Sequence, residues 1–211
     1  MSFLQGLLRL RLCCTFFLAC LLVMATHNGL WAMDAALLGG VDSGTSSNGL
    51  NHKAKNLGYS LEALAHLKIF LLLHGGAFYF QDSSKTQKIT SNGGSVLQNF
   101  HISPTGYGVD FKLQFSPLFL RGGYGSYQAE ARRVSDFVGR NYSLASGSGY
   151  HLGGGIMGKL FGVFSWVAAI TYRNLEFKEI KMKESKTNFV KLQKPWEREV
   201  YTFALGLSID L

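Results

Sequence analysis

The stretch that decides the fold is Leu57-Gly58-Tyr59-Ser60-Leu61-Glu62-Ala63-Leu64-Ala65-His66-Leu67-Lys68-Ile69. Its odd positions are Leu57, Tyr59, Leu61, Ala63, Ala65, Leu67 and Ile69, and its even positions Gly58, Ser60, Glu62, Leu64, His66 and Lys68. Successive side chains of a strand point to opposite faces, so a strand here has one apolar face and one bearing an acid, an imidazole and an amine. Helical spacing would mix the two sets. The period recurs. Tyr107, Val109, Phe111, Leu113 and Phe115 alternate with Gly108, Asp110, Lys112 and Gln114. Tyr150, Leu152, Gly154, Ile156, Gly158 and Leu160 alternate with His151, Gly153, Gly155, Met157 and Lys159. Tyr201, Phe203, Leu205, Leu207, Ile209 and Leu211 alternate with Thr202, Ala204, Gly206, Ser208 and Asp210. Each apolar face opens on a tyrosine, at intervals of 48, 43 and 51 residues, which is the size of a hairpin unit.

Return strands lie between these segments. Leu71–Gly76 and Leu118–Gly123 correspond at an offset of 47 and run into polar tails near Gln81 and Gln128. A third places Phe164, Trp166, Ala168, Ile170 and Tyr172 opposite Ser165, Thr171 and Arg173. Residues 33–43 supply a first strand through Ala35, Leu37, Gly39 and Val41, with Ala36, Leu38, Gly40 and Asp42 on its other face. Eight strands result. Short links fall near 68–70, 116–117 and 161–163, and long polar connections at 44–56, 83–104, 135–148 and 183–196. Pro104, Pro117 and Pro195 are expected in connections, because proline cannot donate to a ladder. Tight turns at one end and long loops at the other mark an outer-membrane barrel. The expected fold is all-β: an eight-stranded antiparallel up-and-down transmembrane β-barrel. A soluble sandwich would bury its apolar faces against each other and needs no tyrosines at one level.

Composition narrows the alternatives. The 211 residues are 47% apolar and 16% charged with 25 glycines and 3 prolines, which argues against disorder, a coiled coil or collagen. A mean hydropathy of +0.10 argues against a polytopic helical membrane protein. Residues 1–11 carry Arg9 and Arg11 and no acid, and an apolar run of 14 residues follows from Leu12 to Ala25. That run is short of the about 20 residues a membrane span needs and suits a secretory signal peptide. Residues 1–32 are expected to be removed after Ala32, with cleavage after Ala25 as the alternative, leaving 33–211 as the barrel domain. Cys13, Cys14 and Cys20 all lie in the leader, so the mature chain has no disulfide or thiolate metal site. A lipid-modified Cys20 is the weaker reading, because the apolar run continues through Leu21, Leu22 and Val23.

These features together make the chain resemble the small eight-stranded outer-membrane β-barrel proteins of diderm bacteria, the OmpA/OmpX-type barrel superfamily. The resemblance covers the leader and residues 33–211 and lies in architecture, not in a catalytic signature. It implies an outer-membrane location, a monomer, contact with outer-membrane lipid and lipopolysaccharide, and folding by the barrel-assembly machinery. It also implies envelope-structural, adhesion or surface-interaction roles. The last strand (Tyr201, Phe203, Leu205, Leu207, Ile209, Leu211) resembles the family's C-terminal assembly signal, with Leu211 where an aromatic residue is usual.

Eight strands enclose an interior just wide enough for side chains to fill. Parity turns Glu62, Asp110 and Asp210 inward with Lys68, Lys112, Arg121, Lys159, Arg173 and Arg198, and with His66, His74 and His151. The expectation is a salt-bridged plug; a proton path or a narrow channel for small or apolar solutes is the alternative. Tyr59, Tyr107, Tyr150 and Tyr201, with Tyr79, Tyr124, Tyr172 and Trp166 on the return strands, fit membrane-interface belts.

Without Arg9 and Arg11 the chain has 19 basic and 13 acidic side chains, a formal charge of +6, while residues 44–56, 83–104, 132–148 and 176–196 together carry +9. A basic rim is attracted to phosphorylated lipopolysaccharide within a Debye length, or simply keeps the loops solvated. No motif reads nucleic acid. A lipid-modifying enzyme needs a triad, and the nearest pair, His101 and Ser103, precedes Pro104 in an expected loop with no placed carboxylate. The glycine pairs at 75–76, 122–123 and 153–155 sit mid-strand with no helix after them, so they serve bending or close packing. No cofactor, metal or enzymatic activity is expected.

Overall fold

A computed structural model describes residues 33–47, 53–91, 94–96, 100–133, 142–182 and 190–211. The expected leader, its three cysteines and the middles of the long connections lie outside the described residues. The strands are β1 (Met33–Ser47), β2 (Lys53–Lys68), β3 (Leu73–Ser91), β4 (Gly94–Val96), β5 (Phe100–Phe115), β6 (Leu118–Arg133), β7 (Tyr142–Phe161), β8 (Phe164–Met182) and β9 (Val190–Asp210). Eight long strands form the ring β1-β2-β3-β5-β6-β7-β8-β9, and β9 returns to β1 antiparallel, so the sheet closes. The short β4 pairs with Ile89–Ser91 of β3, outside the ring. At the short-turn end the β1–β9 seam is tied by Met33 N donating to Leu211 O at 3.0 Å and Leu211 N to Met33 O at 2.7 Å.

Closure gives each long strand two partners and leaves the ring without an open edge, the condition for a sheet in hydrocarbon. The two-residue period then sorts the side chains. Along β9, Tyr201, Phe203, Leu205 and Leu207 are exposed while Thr202, Ala204 and Ser208 are buried. Phe111, Leu152, Phe203 and Leu205 are 50–59% exposed on the outer wall. An apolar surface running round the whole ring far exceeds the patches a water-soluble monomer carries; this wall is solvated by lipid. From Tyr150 to Leu160, ten residues at about 3.3 Å each on a strand tilted by about 40° give roughly 25 Å, the height of a membrane barrel's apolar band.

The strands run further than the alternation indicated. β3 continues to Ser91, β5 starts at Phe100, β7 at Tyr142 and β9 at Val190, so parts of 83–104, 135–148 and 183–196 are paired strand, not loop. Likewise β1 reaches Ser47 and β2 begins at Lys53 within the expected connection 44–56. Pro104 lies in β5 opposite Ala129, and Pro195 lies in β9; only Pro117 is in a turn. Beyond the tyrosines no hydrocarbon demands an apolar outer face, so the sequence loses contrast while backbone pairing continues. The return strand after β2 starts at Leu73, not Leu71, because Ile69–Leu72 is spent on the turn.

Inward glycines make room for the plug. A Cβ on Gly106 would fall 2.2 Å from Tyr127 Cδ1, and one on Gly123 2.5 Å from the His151 ring.

Candidate functional site

The interior is divided along its length. Nearest the short turns, a polar thread runs over β1, β2, β3, β5 and β6, and an apolar cluster packs beside it. The cluster includes Ala36 and Leu38 of β1, Phe119 of β6, Met157 of β7, Val167 and Ala169 of β8, and Ala204 of β9. The thread begins at Asp34. Its Oδ2 accepts from Lys112 Nζ at 2.6 Å and lies 3.0 Å from His74 Nδ1, while Oδ1 lies 3.1 Å from His66 Nδ1. His66 Nε2 reaches Asp110 Oδ2 at 2.6 Å, so its ring bridges two carboxylates. Asp110 Oδ1 is in turn shared by His151 Nε2 and the Arg121 guanidinium.

Arg121 turns the thread towards the barrel's middle. It grips Glu62 with both terminal nitrogens, Nη1 to Oε2 at 2.9 Å and Nη2 to Oε1 at 2.7 Å. Arg173 Nη2 pairs with the same Glu62 Oε1 at 2.6 Å, and Arg173 Nη1 donates to Thr202 Oγ1 at 2.8 Å. The Arg173 guanidinium also lies 4.0 Å from the centre of the Phe80 ring. Taking such charges out of water costs several kcal/mol each, and only partners with this geometry offset it.

An aromatic layer follows, with Phe78, Phe80 and Tyr127 ring to ring and Phe78 edge-on to His151. Towards the loop end a second ion pair crosses the lumen: Arg198 of β9 binds Asp82 of β3, and Ser84 bonds both. Above it Phe177 stacks on Trp196 at 4.8 Å. Arg173, Arg198, Tyr127, Phe80, Phe177 and Leu175 are all at most 1% exposed.

The sequence-derived network is therefore placed as follows. Glu62, His66, His74, Asp110, Lys112, Arg121, His151 and Arg173 come together, and Arg198 sits in the second pair. Lys159 and Asp210 do not join them, nor does Lys68: all three are exposed at the short-turn end, where the inward parity points to the barrel mouth instead of the lumen. Asp34 and Asp82 were not foreseen. Asp34 continues the parity of Ala36, Leu38 and Asp42 by one step, and Asp82 lies one residue past the expected strand end at Gln81.

The eight belt aromatics all lie on the outer parity. Tyr172 packs between Tyr150 and Tyr201 with ring centres 6.2 and 5.1 Å away, Tyr79 pairs in register with Tyr107 and Tyr124 with Tyr150, all on the loop side, with Tyr59 on the same side. Trp166 sits towards the short turns, as the third residue of β8. The assembly-signal positions Phe203, Leu205, Leu207 and Ile209 line the lipid face of β9 beside β1. His101 and Ser103 lie in β5, not a loop, in register with Arg132 and Glu130 of β6. Among the described residues no group of His, Cys, Asp and Glu has the arrangement to hold a metal.

No protein-family model matches the chain, and no curated protein matches it in sequence. Solved structures match its fold. Neisserial surface protein A is 15% identical, over 84% of this chain and 97% of that one, with a TM-score of 0.50. Ail, the attachment invasion locus protein of Yersinia pestis, solved with the heparin analogue sucrose octasulfate, is 14% identical over 85% and 99%, with a TM-score of 0.46. OprG of Pseudomonas aeruginosa is 12% identical over 88% and 97%, again at 0.46. At such identities likeness bears on fold alone, and on that ground the chain is an all-β, closed eight-stranded antiparallel barrel with the fold of the small outer-membrane proteins.

Proposed function

We propose that this protein is a non-enzymatic integral outer-membrane barrel of a diderm bacterium, monomeric and plugged by its own side chains. Its basic loop end does envelope-structural or surface-interaction work. The observation that carries this reading is the filled lumen: an aromatic layer lies between two sets of buried ion pairs, and the Arg198–Asp82 pair joins β9 to β3, three strands away round the ring. An eight-stranded ring has little width beyond that. The loop end supports the second half. β8 runs ten residues past Tyr172, and Lys178 on it, with Lys55 of β2, Lys85 of β3 and Lys194 of β9, is exposed at the loop end. Lipopolysaccharide phosphates are the partner such a rim attracts, with an affinity that falls as salt rises.

Planar-bilayer recording of the purified protein tests the plug. The expected result is no steady single-channel current; steady unitary steps would favour a narrow channel. One observation favours that second reading: four buried polar atoms without a hydrogen-bond partner among the described residues, Asp42 Oδ2, Tyr127 OH, Arg173 Nε and Arg198 Nη1, lie in the loop-side half of the lumen. Ser103→Ala is expected to change no lipid-hydrolysing property of the outer membrane, and a lost hydrolysis would promote an enzyme over both readings.

A further inference from the structure

A cavity of about 300 Å³ opens at the short-turn end, where the apolar outer wall stops. One side of it is greasy. Leu71 and Leu72 line it with Leu211, and they belong to the turn Ile69–Leu72, whose four side chains are 55, 74, 72 and 40% exposed. Four consecutive exposed apolar residues are costly in water and favourable at the headgroup–acyl boundary of a bilayer. This wall is held firmly: Ile69 N donates to Leu73 O at 2.9 Å and Gln114 N to Leu72 O at 2.9 Å.

The other side is polar. Lys68 and Asp210, both exposed, line the cavity as fixed charges of opposite sign. Deeper in, Asp34 and His74 both line it, and His74 Nδ1 is engaged by Asp34, which leaves the Nε2 lone pair as an acceptor for a ligand. Lys112 and His66 hold Asp34 from behind.

We propose that this cavity binds the headgroup of a membrane phospholipid of the phosphoethanolamine class, with its acyl chains lying outside along the turn. The proposal rests on the membrane-barrel reading above. The volume is at the small end of the range for ligand pockets, about 300–1,000 Å³, which suits a headgroup but not a whole lipid. Opposite charges lining one mouth match a zwitterion, with phosphate towards Lys68 and ammonium towards Asp210 and the Nε2 lone pair of His74. A purely anionic head would meet Asp210 uncompensated. A primary ammonium donates hydrogen bonds that a carboxylate accepts, whereas quaternary ammonium groups are held by aromatic cages, and no aromatic residue is among the described lining.

Native mass spectrometry of the folded protein, loaded in turn with phosphatidylethanolamine, phosphatidylcholine and phosphatidylglycerol, tests the site. Phosphatidylethanolamine should be retained best, and Lys68→Ala or Asp210→Asn should each weaken its retention about tenfold, the worth of one charge-assisted hydrogen bond. Lys85→Ala at the far end should leave retention unchanged. Equal retention of the three lipids, or undiminished retention in both variants, overturns the proposal. So does soluble phosphoethanolamine competing as well as the lipid, since the site would then serve a free small molecule. A chain that fails to insert into bilayers at all contradicts the membrane reading instead, and this site falls with it.

Discussion

Arg198 and Asp82 show what the plug costs and gives. Each is completely desolvated, so removing one partner leaves a buried charge without compensation. Asp82→Asn is expected to destabilise the barrel by about 3–5 kcal/mol, read as a lowered urea midpoint for unfolding from lipid vesicles. Replacing both, Asp82→Leu with Arg198→Met, should recover most of that loss, because well-packed apolar residues often match a buried pair. A double substitution as unstable as the single one would contradict the account of the pair. Gly106 is the matching steric case. Its Cβ would overlap the Tyr127 ring, so Gly106→Ala should cost about 1–3 kcal/mol, the usual penalty of overpacking. The same substitution in a Tyr127→Leu background should cost clearly less. Residue by residue, parity alone points to Glu62, His66, Asp110, Arg121 and Arg173, because an ionised group on the polar face of a lipid-bound strand has only the lumen to occupy. It gives no warning of Phe80, Tyr127 or Phe177, apolar rings on the polar face. For Tyr127 the available signal is Gly106, whose missing side chain leaves volume its ring fills, and Gly108 and Gly125 do the same for Phe78.

At the scale of the strand, the outer face is tuned to hydrocarbon over its middle and free of that demand beyond it. Leu205 lies near the midpoint of the β9 wall, between Tyr201 and Leu211. Leu205→Arg is expected to cost about 2–4 kcal/mol in vesicles, as a charge at the bilayer midplane does. Lys178→Glu on the β8 extension should stay within about 0.5 kcal/mol, as exposed substitutions generally do. Equal costs at the two positions would mean that the wall is not lipid-facing. The same contrast explains what could be read of the strands beforehand. Each was recognisable where a tyrosine opened an apolar set and a turn closed it. The outer parts of β3, β5, β7, β8 and β9 were not, because in water both faces can be polar and the period of two vanishes. Asp34 was missed at the other limit, where the alternation of β1 is blurred by Ala36 and Leu38 facing inward beside it.

For the whole molecule, the closed ring and its packed interior make one cooperative body. Detergent-extracted protein should therefore migrate faster on a gel unheated than boiled, and identical migration would count against closure. The central claim is that alternate residues of each strand meet lipid and a sealed lumen. It is tested most directly by single spin labels along β9, on a chain whose only native cysteines, Cys13, Cys14 and Cys20, lie among residues 1–32, outside the barrel strands. Labels at Phe203, Leu205 and Leu207 should relax with dissolved oxygen, while those at Thr202, Ala204 and Ser208 should be reached by neither oxygen nor a water-soluble nickel chelate. An absence of alternation, or the chelate reaching all three inward positions, would contradict the account.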